Sequence, residues 1–378
     1  MQVDPMLIDI IAGARPNFMK IAPIIRALQA HRDSGGALRY RLIHTGQHYD
    51  PKMSGDFFTQ LGIPEPDVNL DVGSGTQGEQ TAAILTRYER LLLDKPSNLC
   101  LVVGDVTSTM ACAIAAQKLR IPVAHVEAGI RSGDWTMPEE INRMVTDSIT
   151  NWFFTTSEVA NANLRSTGVS DDRIFFVGNT MIDTLLTNLP RLQPPSFWEE
   201  LGLQAGEYFV VTLHRPANVD GSGQFARMLA AIAEGTRGMP VVFPVHPRTA
   251  KTLRELNEVP ASFRLVDAQA YLEFNYLVKN AKAVITDSGG ITEETTVMGV
   301  PCMTLRDNTE RPETVTIGTN ELIGTDPAAL APALQRLFAG EWKRGGIPEM
   351  WDGKTGERIV AELDRLLCAK QASTAAAV

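Results

Sequence analysis

Short apolar runs alternate with amphipathic segments along almost the whole chain, and this pattern constrains its fold most. Runs at Met6–Ala12, Arg39–Thr45, Leu99–Val103, Pro122–His125, Trp152–Thr155 and Ile174–Val177 have the length and composition of strands. Between them lie segments with helical spacing of apolar residues, such as Met19–Arg32, Gln80–Leu93 and Ser108–Leu119. That alternation predicts a parallel sheet covered by helices. It stops at LPRLQPPSFWEELGLQAG and restarts with Tyr208–Leu213, Val241–Phe243, Arg264–Val266, Ala283–Thr286 and Cys302–Leu305. The expected class is therefore α/β, with a Rossmann-like domain over 1–187, a linker over 188–206 and a second Rossmann-like domain over 207–352. Residues 353–370 read as a last helix packing back toward the N-terminal domain, and 371–378 as a mobile tail. A chain of 378 residues is long enough for two such domains. Ligands of these sheets bind at the carboxyl ends of strands, so the cleft between the domains is the expected site.

Composition narrows the class of function. Hydrophobic content of 44% with 21% charged residues is that of a globular enzyme, and no apolar run reaches membrane-span length. The first residues, MQVDPMLIDIIAGARP, lack the basic leader and unbroken apolar stretch of a signal peptide. Cys100, Cys112, Cys302 and Cys368 are scattered, as expected of reduced cysteines in a cytoplasmic protein with neither a disulfide framework nor a zinc site. A net charge of −9 argues against a nucleic-acid partner. A small anionic ligand is compatible with it, because a few local cations outweigh a negative average.

Candidate site residues cluster where strands end. The run up to Thr286 passes into Asp287-Ser288-Gly289-Gly290 and then a helix. Two glycines at such a junction let backbone N–H groups approach a ligand, and the helix N-terminus favours a phosphate or diphosphate. Glu293 and Glu294 follow, where a carboxylate could accept from ribose hydroxyls; dipole preference alone would also favour acidic residues there. Other strands end in Gly13-Ala14-Arg15-Pro16 (with Lys20 a turn later), Gly104-Asp105, Glu127-Ala128-Gly129, His214-Arg215 and His246-Pro247-Arg248. A single Asp or His after a strand is ordinarily a cap; five such strand ends are harder to explain that way. Met137-Pro138-Glu139-Glu140 starts another helix, in which Glu139 and Arg143 have the i,i+4 spacing of an ordinary surface ion pair. Gly73-Ser74-Gly75-Thr76-Gln77-Gly78 has the spacing of a dinucleotide fingerprint, but it follows two α/β units and a poorly defined strand (Val68–Val72), and Asp94 follows a helix rather than a strand. A flexible loop is the better reading, one able to close over the cleft.

The order of these motifs resembles the non-hydrolysing UDP-N-acetylglucosamine 2-epimerases over nearly the whole length. GARPNFMK, HTGQHYD, GDVTST, HVEAGIRSGD, PEEINR, GNTMID, HRPANVD, PVHPRT, ITDSGGITEE and RDNTERPE occur in that family's order. The resemblance implies the two-domain fold of GT-B glycosyltransferases, a homodimer, and UDP held mainly by the C-terminal domain. By position it implies that Ser288, Gly289, Gly290 and Glu294 hold diphosphate and ribose, with Phe274 near uracil. Arg15, Lys20, Arg143, His214, His246 and Arg311 would line the diphosphate and sugar. Asp105, Glu127 and Glu139, with His214, match the catalytic set. The implied reaction interconverts UDP-N-acetylglucosamine and UDP-N-acetylmannosamine through loss of UDP to 2-acetamidoglucal and its re-addition. It uses no added cofactor and no metal, and the sequence leaves open which carboxylate acts on which face of the sugar.

Departures from the family matter. Gln47 and His48 match part of a second, activating UDP-N-acetylglucosamine site known in many bacterial members. Asp50 stands where those members often carry glutamine, GSGTQGEQ differs from their loop, and HRPAN lacks the second arginine of their HRRE. Weak or absent activation is expected. HTGQHYDPKMS also resembles relatives acting on UDP-2,3-diacetamido-glucuronic acid, whereas Arg311-Pro312 favours UDP-N-acetylglucosamine. A hydrolysing 2-epimerase, a GT-B glycosyltransferase and a catalytically silent nucleotide-sugar sensor are the other readings. The last two give no reason for Asp105, Glu127 and Glu139 all to be acidic.

Overall fold

The computed structural model describes residues 5–46, 59–245, 247–256 and 258–375. The chain divides into two compact units, one of residues 1–187 with 349–378 and one of residues 188–348.

The first unit carries a seven-stranded sheet: β1 (Met6–Ala12), β2 (Leu38–His44), β3 (Val68–Asn69), β4 (Leu99–Val103), β5 (Val123–Val126), β6 (Trp152–Thr155) and β7 (Ile174–Phe176). Their order is β3-β2-β1-β4-β5-β6-β7, and every pairing is parallel. Order reverses between β1 and β4, the crevice where open parallel sheets bind ligands. Strand β4 is buried at every position, as a central strand covered on both faces must be. Helices Gln77–Asp94 and Thr107–Lys118 pack on one another, the second through a small-residue face of Ala111, Cys112, Ala115 and Ala116 that permits close approach. The buried helix Thr107–Lys118 has almost no amphipathic stripe, in keeping with its surroundings.

The C-terminal segment belongs to this unit. Helix Thr355–Ala375 packs against helix Arg15–Asp33, and Asp183 accepts from the amide of Gly356 at 2.8 Å, satisfying one of its unpaired first-turn donors. Trp351 is buried and donates to the carbonyl of Thr156 at 3.1 Å. The helix continues to Ala375, beyond Lys370 where the sequence pattern ends it, because QASTA contains no helix breaker.

The second unit carries β8 (Phe209–Thr212), β9 (Val241–Pro244), β10 (Phe263–Val266), β11 (Ala283–Thr286), β12 (Cys302–Thr304) and β13 (Asn320–Leu322) in the order β10-β9-β8-β11-β12-β13, again all parallel. Its crevice lies between β8 and β11. The edge strand β13 reads as NEL, too short and polar to register as a strand in sequence. Residues 188–206 fold onto this unit: Phe197, Trp198 and Leu201 pack on the cluster of Tyr208, Leu277 and Val284, and Trp198 meets Tyr208 and Tyr276 edge-on at 5.6 and 5.1 Å.

Cys100, Cys112 and Cys302 are buried, Cys368 is exposed, and all four are free thiols. Among the described residues, no helix is long and apolar enough to cross a membrane.

Candidate active site

In the first unit, the ends of β1, β4 and β5 lie side by side and carry the predicted residues. The turn after β1 is held by Asn17, whose Oδ1 accepts from the amides of Gly13 and Ala14 while its Nδ2 donates to the carbonyl of Val103 at the end of β4. This starts helix Arg15–Asp33 and aims Lys20 across the strand ends, where its Nζ meets Glu127 Oε2 at 2.7 Å. Glu127 is 3% exposed and has φ +66°, a left-handed conformation that costs a residue with a side chain about 1–2 kcal/mol. Such strain persists only where surrounding contacts enforce it. Gly104 beside it has φ +69°, a conformation that favours glycine, and a Cβ there would stand 3.0 Å from Lys20 Nζ.

Asp105 follows Gly104. Arg143 donates to its Oδ2 through Nη2 at 2.6 Å and Nε at 3.1 Å, and Asn142 donates to its carbonyl at 2.9 Å. The helical partner of Arg143 is Glu140, one residue after the spacing predicted from Glu139, at 2.6 Å from Nη1. Glu140 also accepts from the amides of Ser132 and Gly133 and from the Ser132 hydroxyl. Burial pushes Glu140 up, but those donors and Arg143 outweigh it and hold the carboxyl below its ordinary range. Glu139 is half-buried in the first turn of the same helix, Pro138–Ile149. That helix is turned against its hydrophobic pattern: Glu140, Asn142, Arg143, Thr146 and Asp147 are buried, whereas Ile141 is exposed.

In the second unit, Asp287 organises the crevice. It is fully buried at the end of β11 and accepts from the amides of His214 and Arg215 and from Asn218 Nδ2. Its Oδ1 lies 2.8 Å from His214 Nδ1. Burial raises Asp287, yet His214, Asn218 and the Arg215 amide hold it below the ordinary range. An ionised Asp287 accepts a hydrogen bond from Nδ1 of His214, which fixes the orientation of the half-exposed ring. Ser288, Gly289 and Gly290 are half-buried at the start of helix Gly289–Met298.

Glu294, on that helix, is buried and accepts from the Tyr271 hydroxyl at 2.9 Å and from Asn275 Nδ2 at 3.3 Å. Burial dominates over these two donors and pushes its carboxyl up to about 7. Phe274 lies on the same helix as those donors, Tyr271–Asn280, packed on an apolar cluster. Arg311 is buried and donates through Nε to Glu293, while burial pushes Glu313 up to about 7 against the pull of Arg311.

Arg15 begins its helix, but its side chain, together with His246, Gln47 and His48, lies outside the described residues. The glycine-rich segment ends in a cap: Thr76 Oγ1 accepts from the Glu79 amide at 3.3 Å, and Glu79 accepts from the Thr76 amide at 2.8 Å. The helix Gln77–Asp94 thus closes its own first turn, where a dinucleotide fingerprint would offer free amides. Sequence reasoning assigned no role to Asn17, Glu140 or Asp287, although the last two stand in the motifs above; ionisable residues recurring at 140, 143 and 147 were the one available sign of a buried polar helix face.

A family model described as UDP-N-acetylglucosamine 2-epimerase matches residues 29–364. The chain belongs to the UDP-N-acetylglucosamine 2-epimerase family. Among its relatives, a UDP-N-acetylglucosamine 2-epimerase of Methanocaldococcus jannaschii is 41% identical over 94% of this chain and 98% of its own. The crystal structure of the M. jannaschii enzyme with UDP-GlcNAc and UDP superposes with a TM-score of 0.85 over 95% of this chain and 99% of that one. A UDP-2,3-diacetamido-2,3-dideoxy-D-glucuronate 2-epimerase of Pseudomonas aeruginosa is 39% identical over 84% of this chain and 88% of its own. The calicheamicin glycosyltransferase CalG4 shares the fold alone, at 15% identity and a TM-score of 0.54 over 95% of this chain and 97% of that one. The two parallel sheets of this epimerase-family chain are thus of the GT-B type.

Proposed function

We propose that the chain interconverts UDP-N-acetylglucosamine and UDP-N-acetylmannosamine without hydrolysis. The observation that carries this reading is the placement of Glu127 and Asp105 at adjacent strand ends, each paired with a cation, Lys20 and the buried Arg143, in a member of the 2-epimerase family. Deprotonating C2 directly is unfavourable because no carbonyl adjoins it. Breaking the C1–O bond to UDP builds oxocarbenium character that a carboxylate stabilises, while cations and helix amides stabilise the departing UDP. A carboxylate takes the C2 proton, the C–H pair becomes the C1=C2 double bond of 2-acetamidoglucal, and the C1–O pair leaves with UDP. Returning a proton to the opposite face of C2 and UDP oxygen to C1 completes the inversion. Atoms and electrons balance without a redox cofactor.

Within this reading Asp105, Glu127 and Glu139 supply acid and base, with Lys20, Arg143 and Arg15 around the sugar and diphosphate. His214, His246, Arg311 and the Ser288–Gly290 turn take the diphosphate, Glu294 the ribose and Phe274 the uracil. Support for the nucleotide half is the M. jannaschii relative, whose structure contains UDP-GlcNAc and UDP. The family resemblance further implies a homodimer, which light scattering of the purified protein measures. A second substrate, UDP-2,3-diacetamido-glucuronic acid, is favoured by HTGQHYDPKMS and by the similarity to the P. aeruginosa relative.

The test is NMR of the protein with UDP-N-acetylglucosamine in deuterium oxide without added cofactor. The expected product is a mixture of gluco and manno UDP-sugars carrying deuterium at C2. Free N-acetylmannosamine with stoichiometric UDP would establish hydrolysis instead, and an unchanged spectrum would redirect the reading to the diacetamido-uronic acid.

A further inference from the structure

His125 and Asp147 form a buried pair that the proposed chemistry leaves unused. His125, in β5, is 0% exposed, and each ring nitrogen faces an acceptor: Nδ1 lies 2.7 Å from Asp147 Oδ1 and Nε2 lies 2.8 Å from the carbonyl of Gly104. A carbonyl can only accept, so Nε2 donates to Gly104, while Nδ1 faces the carboxylate of Asp147. The other oxygen of Asp147, Oδ2, accepts from the amide of Gly129 at 3.1 Å and from Arg131 Nη1 at 2.7 Å. Residues 125 and 129 flank Glu127 symmetrically, and Glu127 is the residue held at φ +66°. Gly129 is itself at φ +77°, and a Cβ there would collide with the carbonyl of Ala160 at 2.4 Å, so the segment is wedged as well as tied.

We propose that Asp147 and His125 are positioning residues: Asp147 grips the chain on both sides of Glu127, and His125 extends that grip to the carbonyl preceding Asp105. The proposal rests on reading Glu127 and Asp105 as acid–base groups. One carboxylate then sets two side chains at once. Glu127 is kept strained because His125 and Gly129 are tied to the same anchor, and Asp105 is fixed because its turn hangs from the His125 ring. Asp147 sits on the helix that also supplies Arg143 to Asp105, so a single rigid element references the whole acidic cluster.

The experiment is steady-state kinetics of Asp147→Asn and His125→Gln with 2-deuterated substrate, with UDP affinity by calorimetry and with circular dichroism as the measure of folded protein. Displacing a reacting group by about 1 Å costs on the order of 100-fold, so kcat should fall by about that factor in Asp147→Asn. KM and UDP affinity should stay within about threefold, since binding common to ground and transition state is untouched. The primary isotope effect should rise as proton transfer becomes rate-limiting. A merely structural role predicts a loss of kcat matched by the loss of folded protein, with the isotope effect unchanged; that result would overturn the proposal. Should Asp147→Asn fail to fold, His125→Gln carries the same three readouts. Glu127→Gln and Asp105→Asn separate the two levels. If they are impaired while both positioning variants keep wild-type kcat, the positioning role alone falls. If they are fully active, the acid–base reading falls and takes the proposal with it.

Discussion

Replacing Glu294 by Gln tests the nucleotide half of the site through two opposite pH dependences. Burial pushes this carboxyl from an ordinary 4.5 up to about 7, against the donors Tyr271 and Asn275. For stability, the raised pKa means that folding is most favoured below about pH 4.5, where both states hold the proton. That contribution is lost as pH rises through about 7, where the folded protein must ionise a buried group. The span corresponds to about 3 kcal/mol at 1.36 kcal/mol per pKa unit. A neutral Gln still accepts from Tyr271 and Asn275, so Glu294→Gln should match the parent near pH 4.5 and exceed it at pH 8 by up to about 3 kcal/mol in urea unfolding. Ligand binding should respond the other way. If ribose hydroxyls donate to the ionised carboxylate, about nine-tenths of the protein is competent at pH 8 and about one-tenth at pH 6. Affinity for UDP-N-acetylglucosamine should then fall about tenfold between those values, or about 1.4 kcal/mol. The sugar nucleotide diphosphate, esterified at both ends, does not titrate in this range. Calorimetry on the slow Glu127→Gln background measures the affinity, and adding Glu294→Gln should weaken it while flattening its pH dependence. A Glu294→Gln protein with the parent's pH slope in both assays would refute the reasoning.

Arg143→Lys should lower kcat/KM about 100-fold in the epimerisation assay. One ammonium cannot span Asp105 and Glu140, and it leaves a buried carboxylate short of its donor. Asp183→Ala removes the acceptor for the Gly356 amide and should cost about 1 kcal/mol in urea unfolding, with UDP affinity unchanged. Forward rates should follow a hyperbola in UDP-N-acetylglucosamine, and the reverse reaction should need none added, because HRPAN and Asp50 depart from the activated members; a sigmoidal curve would contradict this.

Strand positions and the order of motifs were legible in the chain because period and turn chemistry are local. Met6–Ala12, Leu99–Val103, Trp152–Thr155 and Ala283–Thr286 run between the residues that the apolar pattern marks. The same locality explains why Lys20, Asp105, Glu127, His214 and Ser288 could be picked out, since each follows the end of a strand. What holds them could not be read this way. Asn17 reaches Val103 across 86 residues, and Asp287 reaches His214 across 73. Those partners meet because β1 lies beside β4 and β8 beside β11, strands three places apart in the chain that become neighbours only where the sheet order reverses.

Helix Pro138–Ile149 shows the limit most clearly. Its hydrophobic pattern would bury Ile141, yet the fold buries Glu140, Arg143 and Asp147, because partners for three charges are supplied by β5 and by the loops after β4 and β5. Sequence by itself determined the elements, their α/β alternation and which residues terminate each strand, all of which depend on neighbours a few positions away. Only the tertiary structure decided which charges are buried, which are paired, and that Glu127 is held left-handed, because burial and pairing depend on residues far away in the chain.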